Sequence, residues 1–568
     1  MEENIKKTFH LPISYQETTK INDNIKSDLE LLKTKDDETK SAYKHLFNPT
    51  TNVGNVMLES WGDKFTNNKQ FLLDSQNIMK NYNIDQDSDI VNKTAKDWYE
   101  IKNIEDIEEK YQYIEWERLK WLNYNPFLLQ ILSFINITSP ILQLMTPIFM
   151  LIIPFFFLKL MGKNITMDNY IHILKQVIAR HQIGQVLTSF SDASIKTKLY
   201  GLLMLAFYLY SVYQNIISCY HFYMNSYYIV DKIQSLKNYL KYTRNNMEKY
   251  YHLTKDYASY QTFRKDMDEY KIEIDNFIEE LEILPEKTRS FKTVKVFGLI
   301  MKYFYRLHYD DHINEIVCYS LGFNGYIDTL CGLKNNILNN NINSSKFTKK
   351  NKSNFKDMFH PSLKDKSPIK NDVNLDKSII LTGPNAAGKT TLLKSCIINI
   401  IFTQQTGFGF YKKGILNPYK FIHSYINIPD SCSRDSLFQS EARRCKNILD
   451  IINNNKNDRH FCVFDELYSG TNPYEAVSNA YGYLNYLIKN KNVKIILTTH
   501  YIKLCKLFRK NKNIKNYNME TFINNHISKN TYKIVSGYSK TKGGIAVLKS
   551  LDYPENIIKE AEKILKNI

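Results

Sequence analysis

The sequence predicts an α/β domain with a doubly wound, mainly parallel sheet, C-terminal to a mostly α-helical region. Three observations lead there. The apolar run Ser378-Ile379-Ile380-Leu381 passes through a glycine-bearing stretch into a helix-like run from Thr391 to Ile401. A buried-strand pattern, Phe461-Cys462-Val463-Phe464-Asp465-Glu466, ends in two acids, and another, Lys494-Ile495-Ile496-Leu497-Thr498-Thr499-His500, follows a further helix. Strand–helix alternation of this kind is the signature of parallel strands joined by crossover helices. Upstream, apolar residues recur at spacings of three and four, the period of a helix buried along one side.

The stretch after the first strand, Gly383-Pro384-Asn385-Ala386-Ala387-Gly388-Lys389-Thr390, fits G-x-x-x-x-G-K-[ST], which makes this an α/β P-loop NTPase domain by expectation. Amides of the turn and of the helix N-terminus suit phosphates, so residues 383–390 with Thr391 are the expected nucleotide-binding set. Lys389 reaches the outer phosphates, and the Thr390 hydroxyl ligates Mg²⁺. Asp465 is placed to hold the same metal from a neighbouring strand, and Glu466 to orient or activate a water. A histidine closing the next strand, His500, suits a contact that reports loss of the terminal phosphate. ATP and Mg²⁺ are the expected cofactors, with Glu466, His500 and Lys389 as the catalytic groups.

At 568 residues the chain is long enough for two to four domains, and 43% hydrophobic residues suffice for real cores. A formal charge of +18 favours an anionic partner, nucleic acid or a lipid surface, although Asn/Lys-rich stretches also fit a compositional bias of the coding sequence. The eight cysteines form no C-x-x-C pair, so zinc and redox motifs are unsupported and a reducing compartment, cytoplasm or nucleus, is expected. Met1 to His10 is charged and lacks an apolar core, so no secretory signal is expected.

Four segments follow in order. Residues 1–125 read as polar and mostly helical. Residues 126–220 read as an apolar helical hairpin: no charge occurs from Phe127 to Leu158 or from Leu199 to Tyr220. Pro140, Pro147 and Pro154 are expected to kink the first run or divide it. The hairpin suits either a membrane-associated segment or buried helices of a soluble core. The basic loop between the runs favours the cytosolic side by the positive-inside tendency, which conflicts with two full spans. Residues 221–345 read as a helical block. One long helix is expected from Asp231 to Leu284, stopped by Pro285, with Tyr250, Tyr260, Phe263, Met267, Ile274, Phe277 and Leu281 along one side. That stripe fits an arm packed on another helix better than a base-stacking platform. A further helical block spans 291–333, and Lys334 to Lys356, rich in Asn, Lys and Ser, reads as a flexible linker or surface insertion. Residues 346–568 form the nucleotide domain. Within it, Ser433 or Asp435 is a candidate cap for the helix that follows, and Ser436 either caps that helix or contacts a phosphate. Asn472, Pro473 and Glu475 read as cap, first helical residue and closure of a capping box.

These residues resemble the ATPase domain of MutS-type proteins. Phe359-His360-Pro361 and Asn371-Asp372, the loop opening Thr382-Gly383-Pro384-Asn385, Ser436-Leu437-Phe438-Gln439-Ser440-Glu441, Asp465-Glu466-Leu467-Tyr468-Ser469-Gly470-Thr471, Thr499-His500-Tyr501 and Gly537-Tyr538-Ser539 occur in the family's order. The similarity covers about two-fifths of the chain, and Tyr326 to Leu330 with the long arm look like the helical core and lever that precede this domain. The resemblance implies a composite site in a homodimer or heterodimer, with Ser436 serving the nucleotide of the other subunit. It also implies Phe359 and His360 near the base, and arms that embrace duplex or branched DNA. Phe277-Ile278-Glu279 has the letters of the family's mismatch reader but lies inside the charged helix, and no reader domain is seen in the N-terminal third. Ala386-Ala387 departs from the usual loop interior, yet small residues keep the backbone approach open. The apolar runs leave a second possibility, a membrane-associated ATP-driven scaffold. An ABC-type subunit lacks support because no Leu-Ser-Gly-Gly-Gln occurs.

Overall fold

The computed structural model describes every residue except 37, 163–165, 181–194, 285–294, 427–435, 525–526, 540–544, 546–547, 550 and 568. Two compact units, each discontinuous in sequence, make up the chain: residues 1–92, 243–272 and 317–568, and residues 93–242 and 273–316. The candidate caps Ser433 and Asp435 and the stop at Pro285 lie outside the described residues.

In the first unit a short antiparallel pair, β1 (Thr18–Lys20) with β2 (Lys64–Thr66), precedes two larger sheets. The first of these has five strands in the order β5-β4-β8-β3-β7. Its members are β3 (Asn343–Phe347), β4 (Asn354–Met358), β5 (Asn371–Asn374), β7 (Phe408–Gly409) and β8 (Lys413–Leu416). Strands β3 and β4 occupy the stretch expected to be a linker. They pair with β7, β8 and β5, which lie far along the chain, and Phe355 and Met358 are buried, the former 5.2 Å from the Tyr411 ring. Ladder bonds and these few side chains order a stretch whose composition carries no apolar period.

The second sheet has six strands, β13-β12-β6-β11-β10-β9. They are β6 (Ser378–Thr382), β9 (Phe421–Tyr425), β10 (His460–Asp465), β11 (Val493–Thr498), β12 (Ile514–Asn524) and β13 (Ile527–Ser536). All neighbours run parallel except the β12–β13 edge pair. Parallel strands are covered on both faces, which is why these read as nearly unbroken apolar runs. On one face Ile380, Cys462, Phe464, Ile495 and Leu497 meet Cys445, Ile448, Ala476, Ala480 and Leu504 of the helices Leu437–Asn454, Pro473–Leu487 and Ile502–Leu507. The helix Lys389–Thr406 packs against β10 and β11. Register sets the functional edge: Leu381 pairs with Thr498, and Thr498 with Asp465, so three strand ends meet there.

The expected single helix over 231–284 is two helices. The first, Ile195–Thr254, begins within the apolar run; the second is Gln261–Glu282, with a 3-10 turn at Ala258–Tyr260 between them. Arg264 stabilises the break by donating to the carbonyls of Thr254 and Tyr257, and Tyr260 turns inward to stack on Phe71 with centroids 5.2 Å apart. Tyr250, Phe263, Met267, Ile274, Phe277 and Leu281 are buried, so the aromatic stripe is packing surface and is closed to bases. Its neighbours include Tyr326, whose hydroxyl lies 2.8 Å from that of Tyr250.

In the second unit the helix Pro126–Leu160 is continuous through its three prolines. Each proline leaves the carbonyl four residues earlier without its amide partner. The Ser139 hydroxyl donates to Asn136 O and the Tyr208 hydroxyl to Gln143 O, which supplies the bonds that Pro140 and Pro147 remove. Among the described residues, this helix and Ile195–Thr254 contain the two windows, Pro126–Thr146 and Lys198–Thr254, that are long and apolar enough to cross a membrane.

Candidate functional site

The loop 383–388 leaves the end of β6 and turns directly into the helix that starts at Lys389. Two residues make the turn with positive φ, Ala386 at 59° and Gly388 at 92°. Glycine is required at 388, because a Cβ there is strained and stands 3.1 Å from the Tyr532 ring. The result is a concave backbone ending at a helix N-terminus, an arrangement that favours anions. Beside it lies a cavity of about 520 Å³, lined by Asn385, Ala386, Gly388, Lys389, Thr390 and Thr391, with Phe359, His360, Glu466 and Tyr532 on its other walls. Gly383, Pro384 and Ala387 are not among its lining residues; Gly383 and Pro384 act through their carbonyls, and Ala387 is buried.

Lys389 Nζ donates to Gly383 O and Pro384 O, both at 3.1 Å, and lies 3.2 Å from His500 Nε2. Burial lowers the ammonium's pKa, and the charges of Glu466 and Asp465 oppose that shift. Thr390 Oγ1 donates to Asp465 Oδ2 at 2.9 Å, and Thr498 Oγ1 donates to Asp465 Oδ1. The predicted metal pair is thus in direct contact, drawn from the helix after β6 and from the end of β10.

Glu466 takes a positive φ of 54°, and its amide donates to Thr498 O at 3.1 Å, which turns the side chain out of the strand. Its Oε1 is 2.9 Å from His500 Nε2. The hydrogen bond from His500 is the main cause that holds the Glu466 carboxyl below its usual range, with the Lys389 charge adding to it. His500 Nε2 therefore stands between a carboxylate and an ammonium. Protonated, it donates to Glu466; unprotonated, it accepts from Lys389.

On the far wall, Phe359 is buried edge-on to Phe410 at 5.7 Å, and Lys370 Nζ lies 5.5 Å from its centroid. His360 Nδ1 accepts from the Ser362 amide, and burial pushes this imidazole down to about 4, so it is neutral at pH 7. Ser436 is the N-cap of Leu437–Asn454 in a reciprocal box with Gln439 and does not line the cavity. At 472–475 the cap and proline are as expected, but Glu475 accepts from Thr471 Oγ1 at 2.6 Å rather than closing a box.

Sequence reasoning missed several supports. Thr498 orients Asp465. Buried Glu441 accepts from the amides of Ser469 and Gly470, at 3.1 and 3.2 Å, and so fixes the loop after the acidic pair. Asn530 donates to Ala386 O at 3.2 Å, and Asn371 to Tyr532 O at 2.9 Å. Tyr532, on the antiparallel edge strand, carries no local signal of its own.

The oxygen donors Thr390 and Asp465 suit a hard, mostly hydrated cation such as Mg²⁺. Among the described residues no group of three or more His, Cys, Asp or Glu side chains offers an all-protein metal cage. The cavity, the anion-binding turn and the carboxylate beside it together suit a polyphosphate nucleotide.

Comparison with known proteins agrees in kind. The family described as MutS domain V matches residues 379–568. A DNA mismatch repair protein MutS of Persephonella marina is 32% identical over 216 residues, 37% of this chain and 24% of the relative. The protein of the same name from Clostridium tetani is 29% identical over 253 residues, 43% of this chain and 28% of the relative. That from Parabacteroides distasonis is 31% identical over 221 residues, 37% and 25% respectively. The chain thus spans about a quarter of the length of these curated relatives.

Proposed function

We propose, for a chain that belongs to the MutS-type family through residues 379–568, a Mg²⁺-dependent ATPase whose turnover drives closure and opening of a dimer on DNA. The observation that carries this reading is the contact of Asp465 with Thr390 beside the chain of groups Glu466–His500–Lys389. Amides of 386–390 bind the phosphates of ATP, and Lys389 leaves its two loop carbonyls for the outer phosphate oxygens. Thr390 and Asp465 are the residues that hold Mg²⁺, which neutralises charge on the phosphates when bound. Glu466, kept ionised by His500, orients the attacking water and takes its proton. His500 couples the state of Glu466 to the position of Lys389, so release of the terminal phosphate alters both. The base lies toward Phe359 and neutral His360.

The whole protein's role extends the relatives' printed name. DNA binding by the helical regions, in mismatch repair or a related recombination role, accords with the charge of +18. In that arrangement the N-terminus of Leu437–Asn454 presents Ser436 to the nucleotide of a second subunit, while Gln439 keeps the turn in shape.

The test separates binding from chemistry. Lys389→Ala is expected to abolish ATP binding measured by fluorescent-nucleotide titration. Glu466→Ala is expected to keep binding and to lose turnover by about 10²-fold or more. Ordinary turnover in Glu466→Ala contradicts the assignment of the water-activating group.

A further inference from the structure

The two charge-free runs form, within one compact unit, the legs of a helical hairpin. Several of its polar groups bond across from one leg to the other. Gln143 Nε2 donates to Ser211 Oγ at 2.8 Å, Asn215 donates to Gln143 Oε1, and Cys219 Sγ donates to Ile137 O at 3.4 Å. The carbonyls freed by Pro140 and Pro147 are both bonded by hydroxyls, as described above. Water would satisfy such groups without help; hydrocarbon cannot, and demands an internal partner for each.

The apolar residues do the opposite and face outward. Ile141, Leu142, Leu144 and Met145 are all exposed, and at ~100° per residue they spread over roughly 160° of the helix surface, away from Gln143. Ile153 and Phe156 are 51% and 58% exposed, and Phe207 on the other leg is 60%. A second copy of the chain covers one stripe of a helix and leaves the remainder in water. A bilayer covers all of it.

Length and ends agree. From Ile137 to Leu158 on one leg, and from Leu199 to Cys219 on the other, the hairpin is about 32 Å long at ~1.5 Å per residue, against about 30 Å for a hydrocarbon core. Exposed Tyr220 and Tyr223 continue directly from the second leg, as in the aromatic belt of a membrane surface. At the tip, Lys159 and Lys196 are exposed and bound the uncharged band, complementary to anionic headgroups. The amphipathic helix Met167–Arg180 is pinned there by the Tyr170 ring, 5.3 Å from Phe155.

We infer that residues 137–158 and 199–219 form a hairpin embedded in the hydrocarbon of a lipid bilayer. The inference stands apart from the ATP site. The test uses the full chain with vesicles of phosphatidylcholine and phosphatidylglycerol. The chain is expected to float with the vesicles on a density gradient and to stay with them in high salt and in alkaline carbonate. The double variant Ile153→Asp/Phe156→Asp is expected to keep the wild-type circular dichroism and to lose vesicle retention by at least about tenfold. Should that variant misfold, Phe207→Asp on the other leg serves the same purpose. Release of the wild-type chain by salt or carbonate overturns the inference. So does a soluble monomer without detergent, or a detergent-free dimer abolished by the double variant, which makes a second copy the occupant.

Discussion

At the scale of single residues, His500 has the most to reveal. Its Nε2 lies within 2.9 Å of Glu466 and 3.2 Å of Lys389, so removing it acts on both. Because the His500 hydrogen bond is the first cause of the lowered Glu466 pKa, the carboxylate of the wild type persists to lower pH than an ordinary glutamate. In His500→Ala that support is gone, and the acid limb of the kcat–pH profile is expected to move to higher pH, with kcat down about 10²-fold. An unmoved limb contradicts the coupling. The residues of the turn 383–390 and of the strand end 461–466 were legible because each motif is contiguous and carries its geometry within a few residues. Thr498, Tyr532 and Glu441 were not, since each acts through a contact with a distant segment. Ser436 shows the limit of local reading, for a capping serine and a phosphate-contacting serine look alike in sequence.

At the scale of elements, legibility follows the range of the interactions that define them. Apolar strands β6, β10 and β11 announce themselves because both faces are covered. Strands β3 and β4 do not, because their pairing partners at 371–374 and 408–416 supply what Asn, Lys and Ser cannot. The break near residue 257 is likewise invisible: Lys255 to Tyr260 contains neither glycine nor proline, and a guanidinium from the next helix takes the freed carbonyls. The three prolines do not divide the helix Pro126–Leu160, and hydroxyls of Ser139 and Tyr208 bond the carbonyls that Pro140 and Pro147 free. A comparable long-range device joins the segment around Thr50 to the helix Asp311–Leu338. Buried Asp328 accepts from the amides and hydroxyls of both Thr50 and Thr51, at 2.7 to 3.2 Å, ahead of the helix Asn52–Trp61. Asp328→Ala leaves those donors unpaired and is expected to cost about 3 kcal/mol, read as a fall in the denaturation midpoint with an unchanged m-value. A loss below about 0.5 kcal/mol contradicts this role.

At the scale of the whole molecule, the proposal joins an ATP-driven engine to an anionic partner. A chain of charge +18 that neutralises several phosphates of duplex DNA releases as many counterions. Binding to duplex or branched DNA is therefore expected to weaken by about 10³-fold between 50 and 200 mM salt. Binding unaffected by salt, or no binding to any DNA, removes that half of the proposal and leaves the ATPase standing. The central claim is narrower: one triphosphate–metal unit is held jointly by the turn at 386–390 and the acids at 465 and 466. Its most direct test is a crystal structure of the chain with Mg²⁺ and a non-hydrolysable ATP analogue. The expected result places the β- and γ-phosphates on the amides of 386–390, with the metal on Thr390 Oγ1 and Asp465 within its coordination sphere. A nucleotide bound elsewhere, or a metal with neither residue near it, contradicts the account.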